Sequence, residues 1–186
     1  MSKLYKLGIT LNVTLRLWIL YLMAESIIMT SDPRFAGKAI PVRNLLLVLI
    51  SCLLFPFFYF LKKRWKKYPV WFDNFYLSVF WLDMIGNSLN LYDTYFYFDL
   101  LPHFYGAGVF AAVLVGAFSM PLLSAIGLVN IGHVALEIQE FYSDYLFNLR
   151  NVRGAFDAIN DLLVGILGAF LFTAVYLTLA KHKMKK

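Results

Sequence analysis

Residues 99–118 read DLLPHFYGAGVFAAVLVGAF, a stretch with one charged residue, Asp99, and one histidine, His103, both within its first five positions. A transmembrane helix needs about 20 mainly apolar residues, because each residue adds about 1.5 Å and the hydrocarbon core is about 30 Å thick. The stretch therefore predicts a membrane-spanning helix that carries its ionisable groups at one end.

Five further stretches are of similar length and mainly apolar, although the first contains Arg16 and Glu25 and the third contains Asp83, Asn87 and Asn90. The sequence therefore predicts an all-α polytopic transmembrane bundle of six helices. The predicted helices cover approximately residues 8–29, 43–61, 73–92, 99–118, 121–142 and 157–180. Composition agrees, since 61% of the residues are hydrophobic and 15% are charged, whereas soluble domains are about half apolar and about a quarter charged. Residues 1–186 are expected to form a single integral membrane domain.

The distribution of lysine and arginine predicts the orientation. Both termini and one set of loops carry eleven basic residues, and the opposite loops carry five. Cytoplasmic segments are enriched in Lys and Arg, so both termini are expected in the cytoplasm and the chain in the inner cell membrane. The basic residues at membrane edges account for the net charge of +6, which indicates membrane lipids rather than nucleic acid as partners.

Four predicted helices place polar side chains at one depth, the outer third of the bilayer. Ionisable residues inside a membrane are costly and mark candidate functional sites. His133 shares a helix face with Glu137 but lies deeper, and it is expected to be a packing histidine. The polar positions are Asp83 and Asn87; Asp99 and His103; Glu137 and Glu140; and Asp157, Asn160 and Asp161.

The charges in this region do not balance. With Asp93 included, seven carboxylates face three candidate cations, namely Arg16, Arg150 and Arg153. Either some carboxylates are protonated, or the site is hydrated, or a cation is bound. Carboxylates with imidazoles suit Mg, Mn, Ca or Zn, and no organic cofactor is indicated. The expected metal ligands are His103, Glu137, Glu140, Asp157 and Asp161, with Asp83, Asn87, Asp99, Asn160 and Arg153 in supporting positions.

Some of these residues also have simpler interpretations. Asp157 is suited to capping the last helix, because acidic residues favour a first turn. Arg153 could pair with Asp157 or clamp an anionic headgroup. Asp83 and Asn87 could instead bond neighbouring helices together.

Three segments in a fixed order carry a family resemblance. Asp99-Leu-Leu-Pro-His103-Phe-Tyr-Gly106, Glu137-Ile-Gln-Glu140-Phe141 and Asp157-x-x-x-Asp161, the last followed by Gly168-Ala169, resemble the YjdF-like family of bacterial inner-membrane proteins and, more widely, the VanZ-like group. The resemblance covers roughly residues 80–175. It implies that one site contains His103, Glu137, Glu140, Asp157 and Asp161. VanZ-like proteins are associated with the cell envelope.

The leading hypothesis is a divalent-cation site that opens to the outer leaflet and acts on a lipid or envelope-precursor headgroup. Whether the protein is an enzyme stays open. If it is, the metal would polarise an oxygen or activate water, with Glu137 or Glu140 as the candidate base. The alternatives are a proton- or cation-coupled transporter and a structural membrane protein whose buried charges pair.

Overall fold

The computed structural model describes residues 2–152 and 154–184, and within these ranges the regular structure is entirely helical. The α-helices are α1 Lys3–Ile28, α2 Ile40–Leu61, α3 Val70–Ser88, α4 Leu91–Thr94, α5 Leu100–Phe118, α6 Leu122–Phe147 and α7 Ala155–Met184, with a 3-10 turn at Trp65–Lys67. Five of them (α1, α2, α5, α6 and α7) are long and apolar enough to cross a membrane. The prediction of an all-helical protein is confirmed for the described residues, and these five helices are compatible with a membrane protein.

The helices form two compact units, Met1–Tyr95 and Phe96–Lys186. The first unit contains α1 to α4, and the second contains α5 to α7. The helix bounds extend past several predicted ones: α1 begins at Lys3 rather than near residue 8, and α6 reaches Phe147 rather than residue 142. Hydropathy marks only the part of a helix that can lie in hydrocarbon. The helix itself extends further, as long as its backbone hydrogen bonds continue.

The third predicted stretch differs most from expectation. α3 ends at Ser88, and Asn90 adopts the left-handed conformation with φ 55° before the short helix α4. Asparagine tolerates this conformation better than most residues, so the break falls inside the predicted range 73–92. α3 is not among the five spanning candidates. It is nevertheless well buried, because it packs against both α1 and α2.

A buried ion pair joins α1 to α3 in the first unit. The Asp73 side chain is fully buried, and its Oδ2 accepts hydrogen bonds from Arg16 at 2.9 Å, from Asn12 at 2.7 Å and from the hydroxyl of Tyr68. A buried charge is stable only when it is paired and hydrogen-bonded. Arg16, which the sequence suggested as a cation for the outer carboxylates, therefore has its partner within this network.

Small residues set the spacing of the second unit. α5 and α7 pack most closely there, and a Cβ on Gly168 would collide with the backbone carbonyl of Phe104. α6 packs against both helices. Close approach through glycine and alanine is typical of helices in membranes. The small core consists of Ala107, Ala111, Ile126, Val129 and Ala169.

Candidate functional site

Two histidines from neighbouring helices meet in the second unit. His103 lies in the first turn of α5 and His133 in the middle of α6, and their Nδ1 and Nε2 atoms are 2.7 Å apart. The ring planes differ by 14° and the ring centres are 4.8 Å apart. The two nitrogens therefore lie between the ring centres, and the rings meet edge to edge in nearly one plane. This contact is an N–H···N hydrogen bond in which one ring donates.

Glu137 completes a triangle with these histidines. It lies one turn after His133 on α6, and its Oε1 is 3.5 Å from Nε2 of His133 and 3.6 Å from Nδ1 of His103. The Glu137 side chain is 6% exposed, so solvent does little to stabilise its charge. Two imidazole nitrogens and a carboxylate oxygen thus face one another in a buried position.

The size of this triangle matches metal coordination. With sides of 2.7, 3.5 and 3.6 Å, its corners all lie about 1.9 Å from one common point, and bonds from Zn²⁺ to histidine and carboxylate are about 2.0–2.2 Å. An ion slightly out of the plane could reach all three atoms. Because the nitrogens now face each other, both rings would turn to direct them at the ion.

Two aspartates lie at the other nitrogen of His103. Its Nε2 is 3.4 Å from Oδ1 of Asp99, just before α5, and 3.9 Å from Oδ2 of Asp161 in α7. A metal-binding histidine usually directs its second N–H at a carboxylate, which fixes the ring orientation. His103 therefore directs Nδ1 toward His133 and Glu137 and Nε2 toward the two aspartates. Asp99, His103 and Asp161 also form a group with metal-ligand spacing.

Several buried atoms of this cluster have no hydrogen-bond partner among the residues described. They are Oε1 of Glu137, Oδ1 of Asp161 and Nδ1 of His133. Buried polar atoms are normally hydrogen-bonded, and an incompletely paired buried carboxylate is costly. The carboxylates of Glu137 and Asp161 lie beside imidazoles, so the cluster is a candidate cation site.

Gly165 of α7 makes room for His133. A Cβ on Gly165 would collide with Nδ1 and Cε1 of the His133 ring. The ring therefore lies directly against the α7 backbone, where any larger residue would displace it. Gly165 is therefore a packing glycine, and the group that packs against it is the His133 ring.

The remaining predicted residues of the second unit lie at the edge of the cluster or beyond it. Glu140 and Asp157 are half-buried, Asn160 is exposed, and none of them belongs to either group with metal-ligand spacing in the described chain. Glu140 lies three residues beyond Glu137 on α6. Arg153 lies outside the described residues.

Asp83 and Asn87 belong to the first unit and have partners there. The Asp83 carboxylate receives Nη2 of Arg43 at 2.6 Å and the hydroxyl of Tyr92 at 2.8 Å, while the Asn87 amide donates to the backbone carbonyl of Asp83. Asp93 likewise pairs with Lys38 at 2.6 Å. The expected charge imbalance was overstated, because the sequence count left out these two basic partners.

Sequence reasoning missed His133 as a member of the site. It treated the residue as packing because it lies deeper than Glu137. The available signal was the i, i+4 spacing of His133 and Glu137, which places both on one helix face one turn apart. The depth of His133 along α6 did not show that the His103 side chain of α5 would lie beside it.

No family model matches the chain, and no curated protein or solved structure matches it either. The site must therefore be interpreted from its own geometry.

Proposed function

We propose that this is a membrane protein that binds one divalent metal ion through His103, His133 and Glu137. The observation that carries the proposal is the buried triangle of two imidazole nitrogens and one carboxylate oxygen, with sides of 2.7, 3.5 and 3.6 Å. Asp99 and Asp161 orient His103 from its far side. Glu140 and Asp157, which the sequence predicted as ligands, are not ligands in this proposal.

The donor set favours a borderline ion over a hard one. Mg²⁺ and Ca²⁺ prefer oxygen ligands throughout, whereas imidazole suits Zn²⁺ and its neighbours among the transition metals. Two histidines and a glutamate are also the ligand set of several zinc sites that retain an open coordination position. Among the ions expected from the sequence, Zn²⁺ fits best.

Three protein ligands leave a position for water or for an oxygen of a bound molecule. On this basis we propose a lipid or envelope-precursor headgroup as the molecule that approaches the site from the outer leaflet. The order of motifs that resembles YjdF-like and VanZ-like proteins supports an envelope role.

The proposed topology has six spans with both termini in the cytoplasm. In this topology α3 crosses the membrane in addition to the five helices that are long and apolar enough to do so. Its polar side chains Asp73 and Asn74 bond to α1 rather than facing lipid, so a central helix can cross the membrane with lower hydropathy than its neighbours. The bias of basic residues supports the orientation, and we retain residues 1–186 as one membrane domain within this proposal.

The test is metal content. The protein is purified in mild detergent without chelator, and bound metals are quantified by mass spectrometry before and after incubation with Zn²⁺. We expect close to one ion per chain in the wild type and its loss in Glu137→Gln and His133→Gln. Glu140→Gln is the matched control, because it makes the same chemical change one turn further along α6 and should retain the ion.

Absence of bound metal in the wild type, even with excess Zn²⁺, would refute the proposal. The His103–His133 contact would then be a proton-sharing pair, which favours the transport alternative. Equal loss of metal in Glu140→Gln and Glu137→Gln would instead move the site toward the outer end of α6.

A further inference from the structure

A shallow apolar groove of about 580 Å³ runs along α2 in the first unit. Its lining includes Leu49, Leu53, Phe57 and Phe60 of α2, and Trp65 closes one end. These side chains are all half exposed or more. Apolar side chains in a groove of this kind need an apolar occupant.

A basic run borders the groove at its Trp65 end. The exposed residues Lys62, Lys63, Arg64, Lys66 and Lys67 surround Trp65 in the sequence. The Trp65 ring meets Phe60 edge to face at 6.5 Å and stacks on Tyr68 at 5.7 Å. Tryptophan and tyrosine favour the membrane–water interface, so this end of the groove lies at headgroup level.

The length of the groove matches one leaflet. From Leu49 to Phe60 the helix rises about 17 Å at 1.5 Å per residue, and one leaflet contributes about 15 Å of hydrocarbon. A shallow apolar groove as long as one leaflet is thick, ending in a cluster of positive charge, has the polarity and length of a single anionic phospholipid. A helix from a second copy of the chain would pack along the whole membrane-facing length of α2 rather than end at mid-membrane. The cluster of positive charge at one end of the groove would not favour it.

We propose that this groove and the basic run bind one anionic phospholipid, with an acyl chain along α2 and the phosphate on the Lys62–Lys67 side chains. This inference is independent of the metal site, since its residues all lie between Leu49 and Lys67. It also holds whichever side of the membrane carries the basic run.

The probe is phosphatidylglycerol in competition with phosphatidylcholine. The full-length protein is reconstituted in vesicles containing both lipids and extracted gently, and the lipids retained per chain are counted by native mass spectrometry. We expect one retained phosphatidylglycerol in the wild type. The variant Lys63→Gln/Lys66→Gln/Lys67→Gln should lose the preference for phosphatidylglycerol, by roughly fivefold for each lysine.

A groove-filling change separates the acyl chain from the charge. Leu53→Trp should reduce retention of both lipids, whereas Leu46→Trp, an equally exposed change on the same helix outside the groove, should not. Lys3→Gln/Lys6→Gln/Lys181→Gln removes the same charge elsewhere and should leave the preference intact.

Equal retention of the two lipids by the wild type would overturn the proposal. A dimeric wild type that Leu53→Trp converts to a monomer, with unchanged lipid retention, would also overturn it. That result would identify a second copy of the chain as the occupant of the groove.

Discussion

The guanidinium Nε of Arg16 lies 3.4 Å from the backbone carbonyl oxygen of Cys52. That carbonyl is four residues before Pro56, which lies inside α2 and has no N–H to donate to it. Arg16 of α1 therefore supplies the hydrogen bond that the proline removes, and it also pairs with Asp73 of α3. One charged residue inside the apolar first helix thus has structural partners in both neighbouring helices.

Replacing Arg16 should destabilise the first unit strongly. Arg16→Met leaves the buried Asp73 carboxylate without its counter-ion, and breaking a buried pair in this way costs about 3–5 kcal/mol. Pro56→Leu restores a backbone N–H for Cys52, so the double variant should recover about 1 kcal/mol relative to additive effects. Thermal unfolding in detergent measures both quantities.

Pro41→Leu is the control for this coupling. Pro41 lies in the first turn of α2, where the backbone N–H groups have no helical acceptor. Its combination with Arg16→Met should be additive. Coupling of the same size at Pro41 would show that the Arg16 effect does not act through the Cys52 carbonyl.

Gly165→Ala should weaken metal binding. The new methyl group occupies the position of the His133 ring, so the ring must move and the triangle of ligands opens. We expect the Zn²⁺ affinity, measured by competition titration, to fall at least about tenfold. We also expect overpacking to lower the free energy of unfolding by about 1–3 kcal/mol, which a thermal melt detects. Gly132→Ala is the control, because it makes the same change next to His133 but in open space. It should alter neither the metal affinity nor the stability. Unchanged metal affinity in Gly165→Ala would count against His133 as a ligand.

Asp83→Asn should reduce stability and leave metal content unchanged. Asp83 is paired with Arg43 and Tyr92 in the first unit, so its loss removes an ion pair of about 1 kcal/mol and no metal ligand. Arg43→Met should cost a similar amount, and the double variant less than the sum. Loss of the metal ion in Asp83→Asn would return this residue to the site.

The loop between α1 and α2 contains a carboxylate with a shifted titration. Arg34 donates to Asp32 through its side chain and its backbone N–H, and these hydrogen bonds hold the pKa of Asp32 below its usual value of 3.8. The folded carboxylate therefore binds a proton less readily than the unfolded one. The stability that it contributes is complete above pH 3.8 and disappears as the pH falls through the lowered pKa.

An NMR titration with ¹³C-labelled aspartate measures this shift directly. The Asp32 carboxyl should titrate below 3.8 in the wild type and at a higher pH in Arg34→Gln, which removes the guanidinium hydrogen bonds and keeps the backbone N–H of residue 34. A value that does not change on replacement of Arg34 would mean that the guanidinium hydrogen bonds to Asp32 do not form in solution.

Hydropathy located the helices because it reports a requirement of the bilayer, namely about 20 apolar residues per span. The same signal was weakest for 73–92, where Asp73, Asn74 and Asp83 lower the hydropathy. Those side chains bond within the first unit, and a one-dimensional pattern cannot show whether a polar residue in a helix has a partner. The candidate site followed the same rule: helical spacing brought His133 and Glu137 together, while the approach of His103 depended on packing.

The sequence by itself determined that the chain is helical and apolar enough for a membrane, because length and hydropathy are local properties. It also indicated that His103 and the carboxylates near the ends of helices are candidate site residues, since such groups are costly in hydrocarbon. Only the tertiary structure decided which of them meet: His133 rather than Glu140 joins His103, because Gly165 allows the ring to lie against α7. Pairing depends on helix rotation and spacing, and the close packing of small residues between helices sets both.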